Sequence, residues 1–557
     1  MKKKELFAYQ KDAVETIFPQ LMQEASRILL QAATGAGKTY IFADIVQRFL
    51  KVSPLMHIGI LMHRGMLVRQ QYQRIIEYAP ELIGQIGFAC ASESAYVDFS
   101  NSVFIGTRQT VANRIDRMPP LDLLIIDECH NLPPKSLLKE EKNPQYLRIM
   151  NAIEKRNPAF RLLGVTATPY RLDSGYIYGD RCRPGVENWW DKIHYGISSK
   201  TLMELDPPRL SPMRVKVVDG LKDEELDAIA KVGGEYNNEQ LGALMSQRCH
   251  IDSAVHAYQE YGEHRKNTLA FCVTRNHAEQ LCDAFNHAGI PATKIYTGKR
   301  MTPEFRAQEI AGFKSGRYHV ICNVGMLTEG WDCPQVDCIL SCRPTLSAAL
   351  YVQMLGRGFR KSEETGKKDC LLLDLSKNFE RFGDWDDPKF KVPGAKVERE
   401  AVKPMHTCDV CGKPFPRRLD FCPYCGSAIR ENEDIPQFSD VRMREEVVYG
   451  ETSAAILYGW QFMFSIACGN VGMALLATSA QLQNEKIQTQ NFLDFENFGS
   501  PFGRADALRV WEEIAGTKPP KTVAEALQRR NEIHLQRNNI VRVRRRCGKY
   551  EVAHWRV

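Results

Sequence analysis

The chain has 557 residues, enough for about three to five domains that each bury a core of their own. Its 74 basic and 67 acidic residues leave a net charge of +7, a mild excess that permits a polyanionic partner without requiring one. Most of the 17 cysteines lie singly inside apolar runs (Cys272, Cys322, Cys338, Cys370), the pattern of small buried hydrophobes in a reducing compartment and not of a secreted disulfide scaffold.

Met1-Lys-Lys-Lys-Glu5 leads into an amphipathic segment and not into the apolar core of a signal peptide, so an intracellular, cytoplasmic protein is expected. Leu6–Gln10, Ala13, Val14 and Ile17 have helical spacing. The run Ile28-Leu29-Leu30 then enters Gln31-Ala-Ala-Thr-Gly-Ala-Gly-Lys-Thr39, and a helical pattern follows from Tyr40 to Phe49. Strand, glycine loop and helix in that order aim backbone N–H groups and the positive end of a helix dipole at one point, where an oligophosphate fits. Thr34, Gly35, Ala36 and Gly37 would cradle it, Lys38 would reach the β- and γ-phosphates, and Thr39 would ligate Mg²⁺. Ala32 stands where such loops usually begin with glycine, and the competing reading is a glycine-softened turn before a helix.

Further apolar runs alternate with helical patterns at Ile58–Leu61, Val103–Ile105, Leu123–Ile126 and Leu162–Val165, as in a parallel sheet covered on both faces. Asp127-Glu128-Cys129-His130 leaves the third of these runs, placing two carboxylates at the C-terminal end of a strand, where ligands bind in open α/β sheets. Asp127 suits Mg²⁺ and Glu128 suits activation of water. Trp189-Trp190 is read as packing between lobes, with base stacking as the alternative. After a polar connection near 220–250, a second strand series appears at Thr268–Val273, His319–Cys322, Cys338–Leu340 and Cys370–Leu373.

With these motifs in place, residues 5–380 resemble superfamily 2 helicases or translocases of the DExH type. The resemblance implies two RecA-like lobes that close on ATP and Mg²⁺. Tyr9-Gln10 resembles the adenine-reading element, with Phe7-Ala8 where the family usually has Arg-Pro. Met62-His63-Arg64 and Gly106-Thr107-Arg108-Gln109-Thr110 resemble contacts to a nucleic-acid backbone, and Thr166-Ala-Thr168-Pro169 resembles the element coupling hydrolysis to lobe movement. Asn323–Asp332 resembles the segment touching both nucleic acid and nucleotide, with Thr328 toward nucleic acid and Gly330 and Asp332 toward nucleotide. Gln353-Met-Leu-Gly-Arg357-Gly-Phe-Arg360 resembles the arginine-finger helix. The implied catalytic set is Lys38, Asp127, Glu128, His130, Gln353, Arg357 and Arg360. Leu163–Leu172, Gly175–Tyr178, Ile193–Ile197 and Arg343-Pro-Thr345 resemble RadD-type (YejH-like) DNA repair helicases, which implies DNA metabolism and single-strand-binding or repair partners.

From 383 to 403 the chain reads as a linker. Cys408-x2-Cys411 and Cys422-x2-Cys425, each followed by glycine, have the spacing of a tetrahedral Zn²⁺ site, expected to be structural. His406 is read as a bystander, and Arg417-Arg418 as either a phosphate contact or a solvated face. No charge occurs between Thr452 and Asn484, but Gln461, Ser465, Gly469-Asn470 and Gly472 interrupt the apolar stretch, so it reads as two buried core elements and not a membrane span. Alternation around Val541, Val543 and Val552 suggests a β-hairpin carrying Arg544 and Arg545, either a nucleic-acid contact with Tyr550 and Trp555 or a charged solvent face.

The expected architecture is α/β: lobe one at 1–205, a connection at 206–250, lobe two at 251–382, a linker, a zinc ribbon at 404–430 and an α+β region at 431–557. The expected activity is an ATP-dependent DNA motor, with single-stranded or branched DNA favoured over RNA. The alternatives are the motor subunit of a restriction or phage-defence system, an RNA helicase, and a zinc-ribbon adaptor with an ATP-gated clamp.

Overall fold

The structure, a computed structural model, describes residues 4–90, 97–140, 145–298, 301–328, 331, 333–390 and 392. Beyond residue 404 it describes 405–407, 414–416, 443–449, 453–465, 473–482, 485–493, 503–520, 522–535, 540–546 and 549–554.

The first sheet has seven strands: β1 (Arg27–Ala32), β2 (Ile58–Met62), β3 (Ile86–Ala89), β4 (Val103–Thr107), β5 (Leu123–Asp127), β6 (Arg161–Thr166) and β7 (Tyr195–Ile197). All pair parallel, in the order β3-β4-β2-β5-β6-β1-β7. Their unbroken apolar runs fit burial on both faces, and helices α1 (Ala8–Leu21), α2 (Lys38–Val52) and α3 (Gly65–Tyr78) pack on one of them. The order sets β5, β6 and β1 side by side, with Asp127 opposite Val165 and Gln31 opposite Thr166. The acidic strand end, the Thr166 segment and the glycine loop therefore converge on one rim of the sheet.

Trp189 and Trp190 are buried within lobe one and do not bridge the lobes. Trp190 rests on β6, where a Cβ on Gly164 would lie 2.3 Å from its ring, and the Trp189 indole N–H donates to the Pro133 carbonyl at 2.9 Å. A glycine in the strand opens the slot that holds the ring.

The second sheet contains β8 (Met213–Val218), β9 (Thr268–Phe271), β10 (Ala292–Ile295), β11 (Val320–Asn323), β12 (Cys338–Ser341), β13 (Cys370–Asp374) and β14 (Met443–Tyr449), in the order β10-β11-β9-β12-β13-β8-β14. Only β14 runs antiparallel to its neighbour. The segment read as a connection at 206–250 thus contributes an internal strand, and the region read as an accessory domain at 431–557 contributes an edge strand. The short, mixed pattern Met213-Arg-Val-Lys-Val-Val218 hides a strand whose partners are distant in sequence.

The lobes are tied by backbone and side chains from 198–211 and 359–386. Ser211 N–H donates to the Phe359 carbonyl at 2.7 Å. Asp386 accepts from the N–H groups of Ser199 and Lys200, both at 3.0 Å, at the start of helix Ser199–Glu204. Trp385 is buried and donates to the Ser199 hydroxyl at 2.7 Å, while Lys200 pairs with Asp384.

Strands Met405–Thr407 and Pro414–Pro416 form a short antiparallel pair. Farther on, β15 (Ser453–Ser465), β16 (Met473–Leu482), β17 (Glu485–Leu493), β18 (Ile540–Arg546) and β19 (Lys549–His554) close into a barrel, joined by helices Gly503–Ala515 and Val523–Gln528. The uncharged stretch is therefore a pair of barrel strands. Among the described residues no helix is long and apolar enough to cross a membrane.

Candidate active site

The loop from β1 to α2 carries Gly35 at φ +90° and Gly37 at φ +76°, in the region glycine tolerates best. A Cβ on Gly37 would also lie 2.4 Å from Gln10 Nε2. This tight turn leaves the first turn of the 15-residue α2 facing the cleft, the arrangement that favours an anion. Tyr9 and Gln10 brace the loop: the Tyr9 hydroxyl and Gln10 Nε2 both donate to the Ala36 carbonyl at 2.9 Å, and Gln10 Oε1 accepts from Phe7 N–H at 2.9 Å. The Gln10 amide is thus engaged at both ends by the chain itself.

Lys38 Nζ lies 3.4 Å from Glu128 Oε1. The Thr39 hydroxyl donates to Gln71 Oε1, and Gln71 Nε2 donates to Asp127 Oδ2 at 3.4 Å. One buried glutamine on α3 therefore links the two side chains expected at Mg²⁺. Burial and the neighbouring Glu128 push the Asp127 carboxyl up to about 7, against the pull of Lys38. Burial would also raise Glu128, but Lys38, His130 and Arg357 outweigh it and hold that carboxyl below its usual range. Two adjacent carboxylates are thereby driven apart, leaving Glu128 ionised and suited to accept a proton. Glu128 sits at φ +50°, an unusual conformation for a non-glycine residue, which turns the chain out of β5 toward Lys38.

His130 is the hub between the lobes. Its Nδ1 lies 2.9 Å from Thr166 Oγ1, 3.3 Å from Thr168 Oγ1 and 3.5 Å from Glu128 Oε2. Across the cleft, its Nε2 is 3.3 Å from Gln353 Nε2 on helix Ala348–Leu355. With the Gln353 amide donating to Nε2, the ring proton sits on Nδ1 and faces Thr166 and Glu128.

At the end of that helix a Cβ on Gly356 would lie 2.8 Å from Thr34 Cβ, so a glycine lets lobe two pack tightly against the phosphate-type loop. Arg357 and Arg360 both donate to the Trp331 carbonyl, Arg360 at 3.3 Å. The cleft has a volume of about 370 Å³, and Lys38, Glu128, Gln353, Arg357 and Arg360 all line it, so both lobes build one site.

His63, expected on the nucleic-acid path, follows β2 and lines this same cleft. Arg64 precedes the first turn of α3. Thr107 caps helix Arg108–Asn113 by accepting from Thr110 N–H at 3.4 Å, Arg108 lies over the Tyr146 ring at 5.4 Å, and Gln109 is exposed. Thr328 is buried. Gly330, Asp332, Cys408, Cys411, Cys422 and Cys425 lie outside the described residues, as do the side chains of Arg544 and Arg545 in β18.

Two cleft residues escaped the motif reading. Gln71 shares a helical stripe with Leu67, Val68 and Ile75, and a polar residue on such an apolar stripe is a signal open to sequence analysis. Arg209 lines the cleft and stacks 3.9 Å from the Phe7 ring centroid, a contact that no local pattern announces.

Residues 3–171 match the family model described as type III restriction enzyme, res subunit, and residues 252–362 match the helicase conserved C-terminal domain. The chain belongs to the superfamily 2 helicases. It is 30% identical over 391 residues to a Schizosaccharomyces pombe protein named "Putative mitochondrial ATP-dependent helicase irc3", covering 68% of this chain and 59% of that one. It is 24% identical over 444 residues to the type I restriction enzyme EcoKI endonuclease subunit of Escherichia coli K12, covering 71% of this chain and 36% of the relative. The chain therefore spans less than two thirds of the length of either relative. A fragment structure of an HsdR-type subunit of a type I restriction enzyme from Vibrio vulnificus shares the fold, with a TM-score of 0.50, 20% identity and coverage of 69% of this chain and 67% of that one.

Proposed function

We propose that this helicase-family chain is an ATP-driven motor that moves on or remodels DNA in repair or recombination. The observation that carries the reading is the single cleft in which Lys38 and Glu128 of lobe one face Gln353, Arg357 and Arg360 of lobe two. Phosphoryl transfer needs positive charge around the γ-phosphate, and cations divided between two lobes act together only when the cleft closes. Glu128, kept ionised, takes a proton from the attacking water. Lys38 and the two arginines stabilise the charge on the transferring phosphoryl, and Tyr9, Gln10, Gly330 and Asp332 serve nucleotide binding. Asp127 and Thr39, which already converge on Gln71, offer the hard oxygen donors that suit Mg²⁺. Bound there, that ion would neutralise phosphate charge. His130 touches the water-activating carboxylate, Thr166, Thr168 and Gln353, so a change at the nucleotide is felt by both lobes. His63, Arg64, Thr107, Arg108, Gln109 and Thr328 are assigned to the nucleic-acid path.

The RadD-type motifs support the repair role and a single-strand-binding partner. The strand pair 405–407 and 414–416 flanks Cys408 and Cys411, which fits a knuckle holding Zn²⁺ with Cys422 and Cys425. Metal analysis should find one zinc per chain, lost on Cys408→Ser with Cys425→Ser. Similarity to the EcoKI subunit favours a second reading, a restriction or defence motor whose nuclease lies elsewhere.

The deciding assay is ATP-driven displacement of streptavidin from biotinylated single-stranded DNA and from biotinylated RNA. DNA-dependent displacement that Glu128→Gln abolishes is the expected result. ATP turnover without displacement would point instead to a clamp, and displacement from RNA alone would reject the DNA reading.

A further inference from the structure

The C-terminal barrel closes in the order β15-β16-β17-β19-β18, with β18 returning to β15. Its first three strands form an antiparallel meander, helices Gly503–Ala515 and Val523–Gln528 intervene before the fourth, and the third and fifth strands meet in parallel at Thr489 and Tyr550. Closure requires β15 to pair on both sides. Ser453–Ile456 face β18, Ile456–Ser465 face β16, and the register shifts between Leu457 and Gly459, an irregularity that lets the strand turn the barrel corner. This is the topology of the barrel that binds oligonucleotides and oligosaccharides on its second and third strands, between the loops joining strands one to two and four to five.

The interior is filled, so the ligand belongs outside. Leu476, Ala480, Leu493 and Val552 are buried with Val510, Trp511 and Ile514 of the intervening helix, and Thr478 shares a hydrogen bond with Thr489 across β16 and β17. Gln488, next to Thr489 on the third strand, is exposed.

Charge marks one place on this barrel. The fourth strand reads Ile540-Val-Arg-Val-Arg-Arg-Arg546, and Arg546 pairs across the turn with Lys549. Arg542, Arg544, Arg545, Arg546 and Lys549 therefore stand in the hairpin that forms the four-to-five connection, with Glu551 as the lone acidic residue of its two strands, opposite Arg544. The first two strands carry no charge at all. A cationic hairpin beside a sheet whose only charges on β16 and β17 are Glu485 and Lys486, at one end, complements a strand whose phosphates run along one edge and whose bases lie on the sheet. The barrel is also joined to the motor core: its helix Gly503–Ala515 lies against β7, and β14, just before it in sequence, extends the second sheet.

We infer that this barrel is a second nucleic-acid site, which holds single-stranded DNA with the phosphates on the Arg542–Lys549 hairpin and the bases toward β16 and β17. It deepens the motor reading, on which it rests for its purpose: a strand held outside the lobes stays with the enzyme while the cleft opens.

The test uses the full chain and a fluorescent oligothymidylate. Arg544→Ser, Arg546→Ser and Lys549→Ser together should weaken binding by about tenfold or more and make the log–log salt dependence shallower by about 2, from three lost phosphate contacts at ~0.7 each. Hydrogen exchange on the unmutated chain supplies an independent readout, with oligothymidylate expected to protect 473–493 and 540–554. Unchanged affinity and slope, protection confined to the two lobes, or protection of the hairpin by an acidic peptide but not by the oligonucleotide would each overturn the inference. ATP turnover by the unmutated chain separates the two readings: stimulation by DNA with no effect at the barrel removes the second site alone, whereas barrel binding without stimulation removes the motor alone.

Discussion

Asp127→Asn should stabilise the ligand-free protein at pH 8 while removing a residue proposed for Mg²⁺. The Asp127 carboxyl is buried at the end of β5, with Glu128 beside it, and these two influences raise it from 3.8 to about 7. A folded-state value above the unfolded one means that the folded protein keeps the proton to higher pH. The stabilising contribution is therefore complete below about pH 4 and lost as pH rises through 7. At pH 8 the ligand-free protein carries a buried charge costing on the order of 4 kcal/mol, from about 1.36 kcal/mol for each tenfold change. The asparagine removes that charge and one of two acceptor oxygens, since Glu128 N–H donates to Oδ1 at 3.1 Å and Gln71 to Oδ2 at 3.4 Å. The lost acceptor costs about 1 kcal/mol, leaving a net gain of about 3 kcal/mol, or roughly 10 °C in the melting of a lobe this size. Thermal unfolding followed by fluorescence in EDTA, without nucleotide, at pH 5 and pH 8 measures it. The gain should appear at pH 8 and fall to about 1 kcal/mol or less at pH 5. Equal shifts at both pH values, or destabilisation at both, would refute the reasoning.

Gln353→Ala removes the 3.3 Å contact to His130 and should lower DNA-stimulated turnover by about 5- to 100-fold, from ~1–3 kcal/mol of lost inter-lobe bonding, with a smaller effect on unstimulated turnover; steady-state kinetics with and without DNA show the split. Gly356→Val places a side chain where even a Cβ comes within 2.8 Å of Thr34 Cβ, so it should wedge the lobes apart and raise the KM for ATP by about tenfold or more. Asp386→Ala leaves the Ser199 and Lys200 N–H groups without their acceptor and should cost about 3 kcal/mol, seen in calorimetry as a lower first transition and in proteolysis as faster cleavage beyond Phe382.

The phosphate-type loop and the acidic strand end were legible because each is a local event: an apolar run, then a fixed spacing of small or charged residues. The two parallel sheets were legible for the same reason, since strands buried on both faces advertise themselves as continuous apolar segments. What escaped depends on partners far away in sequence. β8 gives only six mixed residues, and its place beside β13 is set by a register more than 150 residues away. Trp189 and Trp190 suggest packing between the lobes until Gly164 is seen to make room for one of them inside lobe one. His63, expected on the nucleic-acid path, also lines the cleft at the end of β2, a position that the motif likeness alone does not reveal. The barrel was hidden because its closure rests on Ser453 meeting Val543, and a bulged, uncharged first strand shows no clean alternation.

One cleft, built by both lobes, is proposed to hydrolyse ATP under the control of DNA. Steady-state ATP hydrolysis by the unmutated chain, Lys38→Ala and Glu128→Gln, each with and without single-stranded DNA, tests it most directly. DNA-stimulated turnover is expected in the unmutated chain, with a fall of about 100-fold or more in both variants. Turnover indifferent to DNA, or surviving both substitutions, would contradict it.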